Sequence, residues 1–286
     1  MNQLPAKILC WRKISGTRTL DALTAQLAHI DPQRLILSQN PPSRVIRVEV
    51  YPESRSAGLA LVRKFGGKLL ELTPRTWWAP QEPRAEPLRI GTKIIVVVSE
   101  EQRRVWHQKF PSRPILNIPA SLAFGTGEHA TTAMMLRLLG QVPDWEQKRF
   151  LDIGTGTGIL ALAARALGCR DIEAFDNDPR AIRVARENDR LNPGPRRTRI
   201  PWQRLSVADF KPRKKFDVVA ANLFSDLLIA HHKRLIRALK PGGQLLLSGI
   251  FRDHVPLVLP CYRRAGLTLL TQRMQGRWCA LRWKKS

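Results

Sequence analysis

The stretch LDIGTGTGIL, Leu151–Leu160, constrains this chain more than any other. A short apolar run, Phe150–Ile153, meets a glycine-rich turn, and an apolar helical stretch, Ile159–Leu167, follows at once. Strand, tight turn and helix in that order are the grammar of a nucleotide-type pocket in an open α/β sheet. Gly154, Gly156 and Gly158 let the backbone turn sharply and approach a ligand where a Cβ would clash. The helix behind them offers free N–H groups. Asp176 ends the next apolar run, IEAFD, and is placed to accept hydrogen bonds from ribose hydroxyls.

The glycine spacing is G-x-G-x-G, without the last glycine of the dinucleotide form G-x-G-x-x-G. Asp152 stands two residues ahead of the turn. A carboxylate there repels a pyrophosphate and favours a cationic amino-acid group. A ligand with a ribose and an amino-acid end is S-adenosylmethionine, and a nicotinamide cofactor fits this pattern poorly. A turn that only packed strand on helix would have no use for the two acids.

A length of 286 residues suits one large or two modest domains, and a hydrophobic content of 43% supports a proper core. No apolar run approaches the roughly 20 residues that span a membrane. The N-terminus, MNQLPAKILCWRK, lacks the pattern of a secretory signal. The four cysteines are scattered without a C-x-x-C pair, so free thiols and no metal site are expected, in a cytoplasmic protein. The net charge of +25 has two readings. It attracts a polyanion such as RNA, or it reflects arginines on solvated faces. The densest basic runs are RRTR at Arg196–Arg199 and KPRKK at Lys211–Lys215.

Residues 1–72 scan as β-α-β-β-α-β, a small ferredoxin-like module. Strands are expected at Lys7–Ile14, Arg34–Ser38, Val45–Tyr51 and Lys68–Leu72, with helices at Thr19–Ile30 and Ala57–Phe65. Residues 73–91 read as a linker, because Pro74, Pro80, Pro83 and Pro87 bar continuous helix or strand. Trp77 and Trp78 could pack that linker onto a domain or stack on a ligand. Residues 92–286 then alternate strand and helix. Strands are expected at Phe150–Ile153, Asp171–Asp176, Gln203–Val207, Phe216–Ala221 and Gln244–Ile250. Helices fall at Thr131–Leu139, Ile159–Leu167, Pro179–Asn188, Ser225–Leu239 and about His254–Ala265. Lys240–Gly243, KPGG, reads as a stop before the fifth strand, and Leu267–Met274 and Arg277–Lys285 as a terminal antiparallel hairpin.

Five segments occur in one order: IPASLAFGTGEHATT (Ile118–Thr132), LDIGTGTG, AFDNDP, VVAANLFSDL (Val218–Leu227) and LLLSGIFRDHVPLV (Leu245–Val258). Together they resemble the ribosomal protein L-eleven methyltransferase family. The resemblance is strong from about Ile90 onward, with FGTGEHATT its most specific motif, and rests only on element order over residues 1–72. It implies an α/β fold: a Rossmann-like class I methyltransferase sheet with a terminal antiparallel hairpin, preceded by a small α+β ferredoxin-like substrate-recognition domain. It implies S-adenosylmethionine as cofactor, and lysine or α-amino groups of a ribosomal protein as acceptors, with ribosomal RNA a possible contact of the basic surface. A methyltransferase acting on RNA or another protein, and a non-catalytic S-adenosylmethionine-binding adaptor, are the alternatives.

The family pattern implies cofactor contacts at Thr132, Gly154, Asp176 and Asn222. The turn itself adds Asp152, Gly156 and Gly158. Asp209, in VADF, is either a partner for the adenine amino group or a capping or surface acid. Asn222 ends the fourth strand in ANLFS, where many amine methyltransferases resemble N-P-P-Y or N-P-P-F. This chain keeps the asparagine, whose amide oxygen can aim an attacking amine. Phe224 either walls the substrate channel or packs in the core. Glu128 and His129 either line the active-site mouth or brace their loop.

Overall fold

Alternating apolar residues build the first of two units, Met1–Pro80 and Gln81–Ser286. The computed structural model describes residues 8–16, 23, 26–27, 30, 35–38, 45–72, 86–119, 129–194 and 198–286. The first unit holds β1 (Ile8–Gly16), β2 (Leu35–Ser38), β3 (Val45–Val50), α1 (Arg55–Phe65) and β4 (Lys68–Leu72). Its antiparallel sheet has the order β2-β3-β1-β4, the ferredoxin-like arrangement. Val48 and Val50 on β3 join Trp11, Leu27, Leu61 and Phe65 in one core. Ser54 caps the start of α1, and Gly66 ends it at φ 70°. The predicted helix at 19–30 lies largely outside the described residues; residues 23 and 26 within it are helical.

The second unit begins with β5 (Leu88–Ile90), β6 (Ile94–Val97), α2 (Glu100–Lys109) and β7 (Ile115–Asn117). The three strands form a small sheet of their own. The linker reading is therefore too long at its end. Pro87 immediately precedes β5, where a missing N–H is harmless. Helix α2 carries no apolar stripe that its sequence would announce, since none of its residues is buried. Its start is held by the Ser99 cap and by Glu100 and Glu101 in the first turn.

Then follow α3 (Ala130–Leu139), β8 (Arg149–Ile153), α4 (Ile159–Ala166), β9 (Asp171–Asp176), α5 (Pro179–Leu191), β10 (Trp202–Arg204) and β11 (Phe216–Asn222). After these come α6 (Ser225–Ala230), α7 (His232–Arg237), β12 (Leu239–Phe251), α8 (Val255–Arg263), β13 (Leu267–Gln275) and β14 (Trp278–Lys285). The seven strands are ordered β10-β9-β8-β11-β12-β14-β13. The first five are parallel, and β14 pairs antiparallel with β12 and β13. This is the Rossmann-like sheet with a terminal hairpin that the motifs implied.

Two element predictions need correction. The single helix expected at Ser225–Leu239 is broken at His231, whose φ of −107° is not helical. KPGG does not stop the chain ahead of the fifth strand: β12 already starts at Leu239 and runs through it, with Gly242 at φ 71°. The register against β11 slips there, between Phe216 and Val218.

The sheet is buried on both faces. Phe150, Val218, Ala220 and Leu246 face a core shared with α3, α4 and α5. Leu151, Val219, Ala221 and Leu247 face a core shared with α6, α7 and α8. A period of two thus sorts every central strand into two apolar layers, which explains why these strands read as continuous hydrophobic runs.

Gly249 on β12 is the tightest point beside the β11 terminus. Its φ is +82°, and a Cβ there would come within 2.3 Å of the Leu223 carbonyl oxygen. We expect Gly249→Ala to lower unfolding stability by about 2 kcal/mol or more. An unchanged urea midpoint would show that this approach is not needed.

Candidate active site

Strands β8 and β11 lie side by side at the centre of the sheet and end together. Their parallel register places Ile153 against Ala221, so Gly154, the first residue past β8, comes beside Asn222, the last residue of β11, which still pairs with Ser248 of β12. Leu223 folds over Gly154: a Cβ at that position would lie 2.5 Å from Leu223 Cδ2. Gly154 also sits at φ 69°, so both its conformation and its neighbour require glycine.

The turn is pinned to the neighbouring strand. The N–H groups of Gly154 and Thr155 both donate to the Phe175 carbonyl at 3.0 Å. Asp176 accepts the Gly156 N–H at Oδ2, 2.9 Å, and the Asp178 N–H at Oδ1, 3.0 Å. Each carboxylate oxygen keeps further lone-pair capacity toward the pocket edge. Gly158 caps α4 at φ 80° and packs against Trp202 and Ala185.

Asp152 lies beneath the turn, with no accessible surface. Its Oδ2 accepts the Thr155 hydroxyl at 2.7 Å, and Oδ1 makes no hydrogen bond of ordinary geometry. Burial pushes its carboxyl up to about 7; the Thr155 hydroxyl and the Ala161 amide oppose that rise, and Asp176 adds slightly to it. Asp152 therefore braces the turn through Thr155 rather than standing open at its surface.

The other half of the site is the start of α3. His129 caps this helix, accepting the Thr131 N–H. Thr131 Oγ1 lies 2.7 Å from His129 Nδ1, and Asn222 Nδ2 donates to the same oxygen at 3.2 Å. Thr132 Oγ1 and Asn222 Oδ1 are both buried without a hydrogen-bond partner among the described residues. Leaving such buried polar atoms unpartnered is costly, and both are available to hydrogen-bond a ligand. Burial, with the Arg277 charge adding to it, holds the His129 imidazole below its ordinary range. The ring meets Trp278 edge-on, centroids 4.8 Å apart, and Trp278 stacks on Phe251 at 4.2 Å.

Gly154, Gly156, Gly158 and Asp176 form the turn with Asp152 beneath it, while Thr132 and Asn222 carry the unpartnered acceptors. Phe224, just beyond Asn222, is 62% exposed, which removes the core-packing reading. Asp209 stands exposed in the turn after β10, its N–H bonded to the Ser206 carbonyl at 3.0 Å, and caps no helix. Glu128 and the FGTGE run before it lie outside the described residues, as do Trp77 and Trp78.

Sequence reasoning missed three contributors. Thr131 links His129 to Asn222; the doubled threonine in HATT was the available signal. Asn188 donates to the Thr157 carbonyl at 2.9 Å and so holds the glycine turn from α5. Asn192 pairs its amide with both backbone groups of Asn117, at 2.7 and 2.8 Å, tying β7 to the end of α5. Nothing local in the sequence announces these asparagines, because their partners are 31 and 75 residues away.

Comparison with known proteins gives a consistent picture. A family model described as Ribosomal protein L11 methyltransferase (PrmA) matches residues 56–286. A ribosomal protein L11 methyltransferase of Lactococcus lactis subsp. lactis is 35% identical over 75% of this chain and 66% of its own length. One from Pelobacter propionicus is 33% identical over 96% of this chain and 84% of its own length. The crystal structure of a ribosomal protein L11 methylase from Lactobacillus delbrueckii subsp. bulgaricus aligns with a TM-score of 0.59 at 26% identity, over 70% of this chain and all of that one.

The buried Asp152 carboxyl gives the ligand-free protein a distinct pH signature. Its folded pKa, about 7, lies above the ordinary 3.8, so its contribution to stability is full below about pH 3.8. That contribution falls as pH rises toward 7 and is level beyond it. Denaturant titrations from pH 4.5 to 8 are expected to show a decline that Asp152→Asn flattens. Parallel curves for the two proteins would rule out a raised pKa at this position.

Proposed function

This chain belongs to the ribosomal protein L11 methyltransferase family, and on that footing we propose that it methylates lysine side-chain and α-amino nitrogens of ribosomal protein L11, using S-adenosylmethionine. The carrying observation is the unpartnered Asn222 Oδ1 beside the glycine turn. The set of groups suits the cofactor: bare backbone at Gly154 and Gly156, a carboxylate at Asp176 for ribose hydroxyls, and the orphaned Thr132 hydroxyl for the amino-acid end. Asp152 acts one step removed, by holding Thr155. Asp209 is assigned to the adenine amino group.

When bound, S-adenosylmethionine supplies a methyl on a sulfonium, a strong electrophile. The chain's task is to present a neutral amine in line. A free lysine is mostly protonated at pH 7, and deprotonating it costs about 4–5 kcal/mol. Desolvation between Leu223 and Phe224 lowers that cost. Asn222 Oδ1 accepts one N–H of the neutral amine and turns its lone pair away from the amide. Holding two groups aligned in this way is worth several kcal/mol, so no dedicated base is required. The N-terminal ferredoxin-like unit is assigned to recognition of the protein substrate.

The net charge of +25 supports a contact with ribosomal RNA during this reaction, since a basic enzyme gains from a polyanion nearby. An RNA acceptor is the competing reading, and it predicts label on RNA instead of protein.

We expect labelled methyl groups to appear on purified ribosomal protein L11, on lysine or the N-terminus. Asn222→Ala should lower kcat about 100-fold or more without changing the melting temperature appreciably. Asp176→Ala should weaken S-adenosylmethionine binding, measured by calorimetry, by roughly 10- to 100-fold. Cofactor binding without any label on protein would refute the acceptor assignment.

A further inference from the structure

His129, Thr131 and Asn222 form one polar chain from the start of α3 to the end of β11. Its direction can be worked out from the cap. His129 Nδ1 accepts the Thr131 N–H at 3.4 Å. A ring nitrogen that accepts carries no proton, so the hydrogen of this neutral imidazole sits on Nε2. The Thr131 hydroxyl, 2.7 Å from the same nitrogen, therefore donates to Nδ1. Its oxygen then has only lone pairs to offer Asn222. The amide atom that meets them has to be a donor, which is Nδ2, at 3.2 Å. Oδ1 is left as the free end, buried and unpartnered.

We propose that His129 and Thr131 are positioning residues that fix which way the Asn222 amide is flipped, so that its carbonyl, not its NH2, faces the acceptor amine. This rests on the assignment of Asn222 as the group that aims the amine. The flip decides the chemistry. A carbonyl accepts an N–H of the amine and leaves the nitrogen lone pair free. An NH2 in the same place would donate into that lone pair and withhold it from the methyl. Asparagine alone cannot choose, because its two ends have nearly the same shape. The choice comes from a helix cap that is itself a histidine. Burial and Arg277 hold the ring neutral, which keeps Nδ1 open to accept.

The wild-type protein can be tested first, without cofactor. Nitrogen-15 NMR of the histidine ring is expected to show the Nε2–H tautomer of His129, and an Asn222 side-chain amide proton protected from exchange. A protonated Nδ1 at neutral pH would overturn the proposal. Thr131→Val removes the hydroxyl at constant shape. It should cut kcat on ribosomal protein L11 by about 100-fold while leaving S-adenosylmethionine affinity within about threefold. Thr131→Ser restores the hydroxyl and should recover kcat to within about threefold of wild type. If valine is as active as threonine, or serine as inactive as valine, the chain does not set the flip. Asn222→Ala separates the two levels. Full turnover in Asn222→Ala would refute the assignment beneath; an inactive Asn222→Ala beside an active Thr131→Val would refute the positioning chain alone.

Discussion

The parallel pairing of β8 with β11 is the constraint on which the rest of the site depends. It sets Ile153 against Ala221. Because β8 ends there and β11 one residue later, a glycine turn and an asparagine from distant parts of the chain become neighbours. Open α/β sheets place ligands outside the carboxyl ends of their strands for this reason. The contact is then locked from above by Leu223 on Gly154, and from the far side by Gly249 against the Leu223 backbone. Three successive positions thus differ in kind: Asn222 ends the strand, Leu223 packs on Gly154, and Phe224 is exposed.

Polar groups inside this edge are handled in two ways. Some bond internally and act as braces. Asp152 holds Thr155, Asn188 holds the Thr157 carbonyl, and Asn192 clamps Asn117. Other buried atoms have no hydrogen-bond partner among the described residues, and Thr132 Oγ1, Asn222 Oδ1, Asp152 Oδ1 and Ser225 Oγ are four of them near this edge. Buried polar atoms without a partner are uncommon in folded proteins, so their gathering beside the glycine turn is what the proposed cofactor site rests on. The raised Asp152 pKa follows from the same division, since a carboxylate buried as a brace is poorly solvated.

Much of the fold was legible because its strands are short, apolar and separated by glycine or proline signals. Phe150–Ile153, Asp171–Asp176 and the terminal hairpin read directly from such patterns. Helix α2 did not, since it is capped and charged but buries none of its residues. The break at His231 escaped because two short helices share one amphipathic run. KPGG misled because Gly242 permits a bulge inside a strand as readily as a stop before one.

The sequence by itself determined the local chemistry. The glycine-rich turn, the acids Asp152 and Asp176 near two strand ends and the apolar runs around them are legible within short windows of sequence. Tertiary structure decided what those groups do together. It buried Asp152 and bonded it to Thr155, and it exposed Phe224. It also joined Thr131 to Asn222 across 91 residues of chain. The physical reason is range: backbone preference and periodicity act over a turn or a strand, whereas hydrogen-bond direction and burial depend on what the sheet brings alongside.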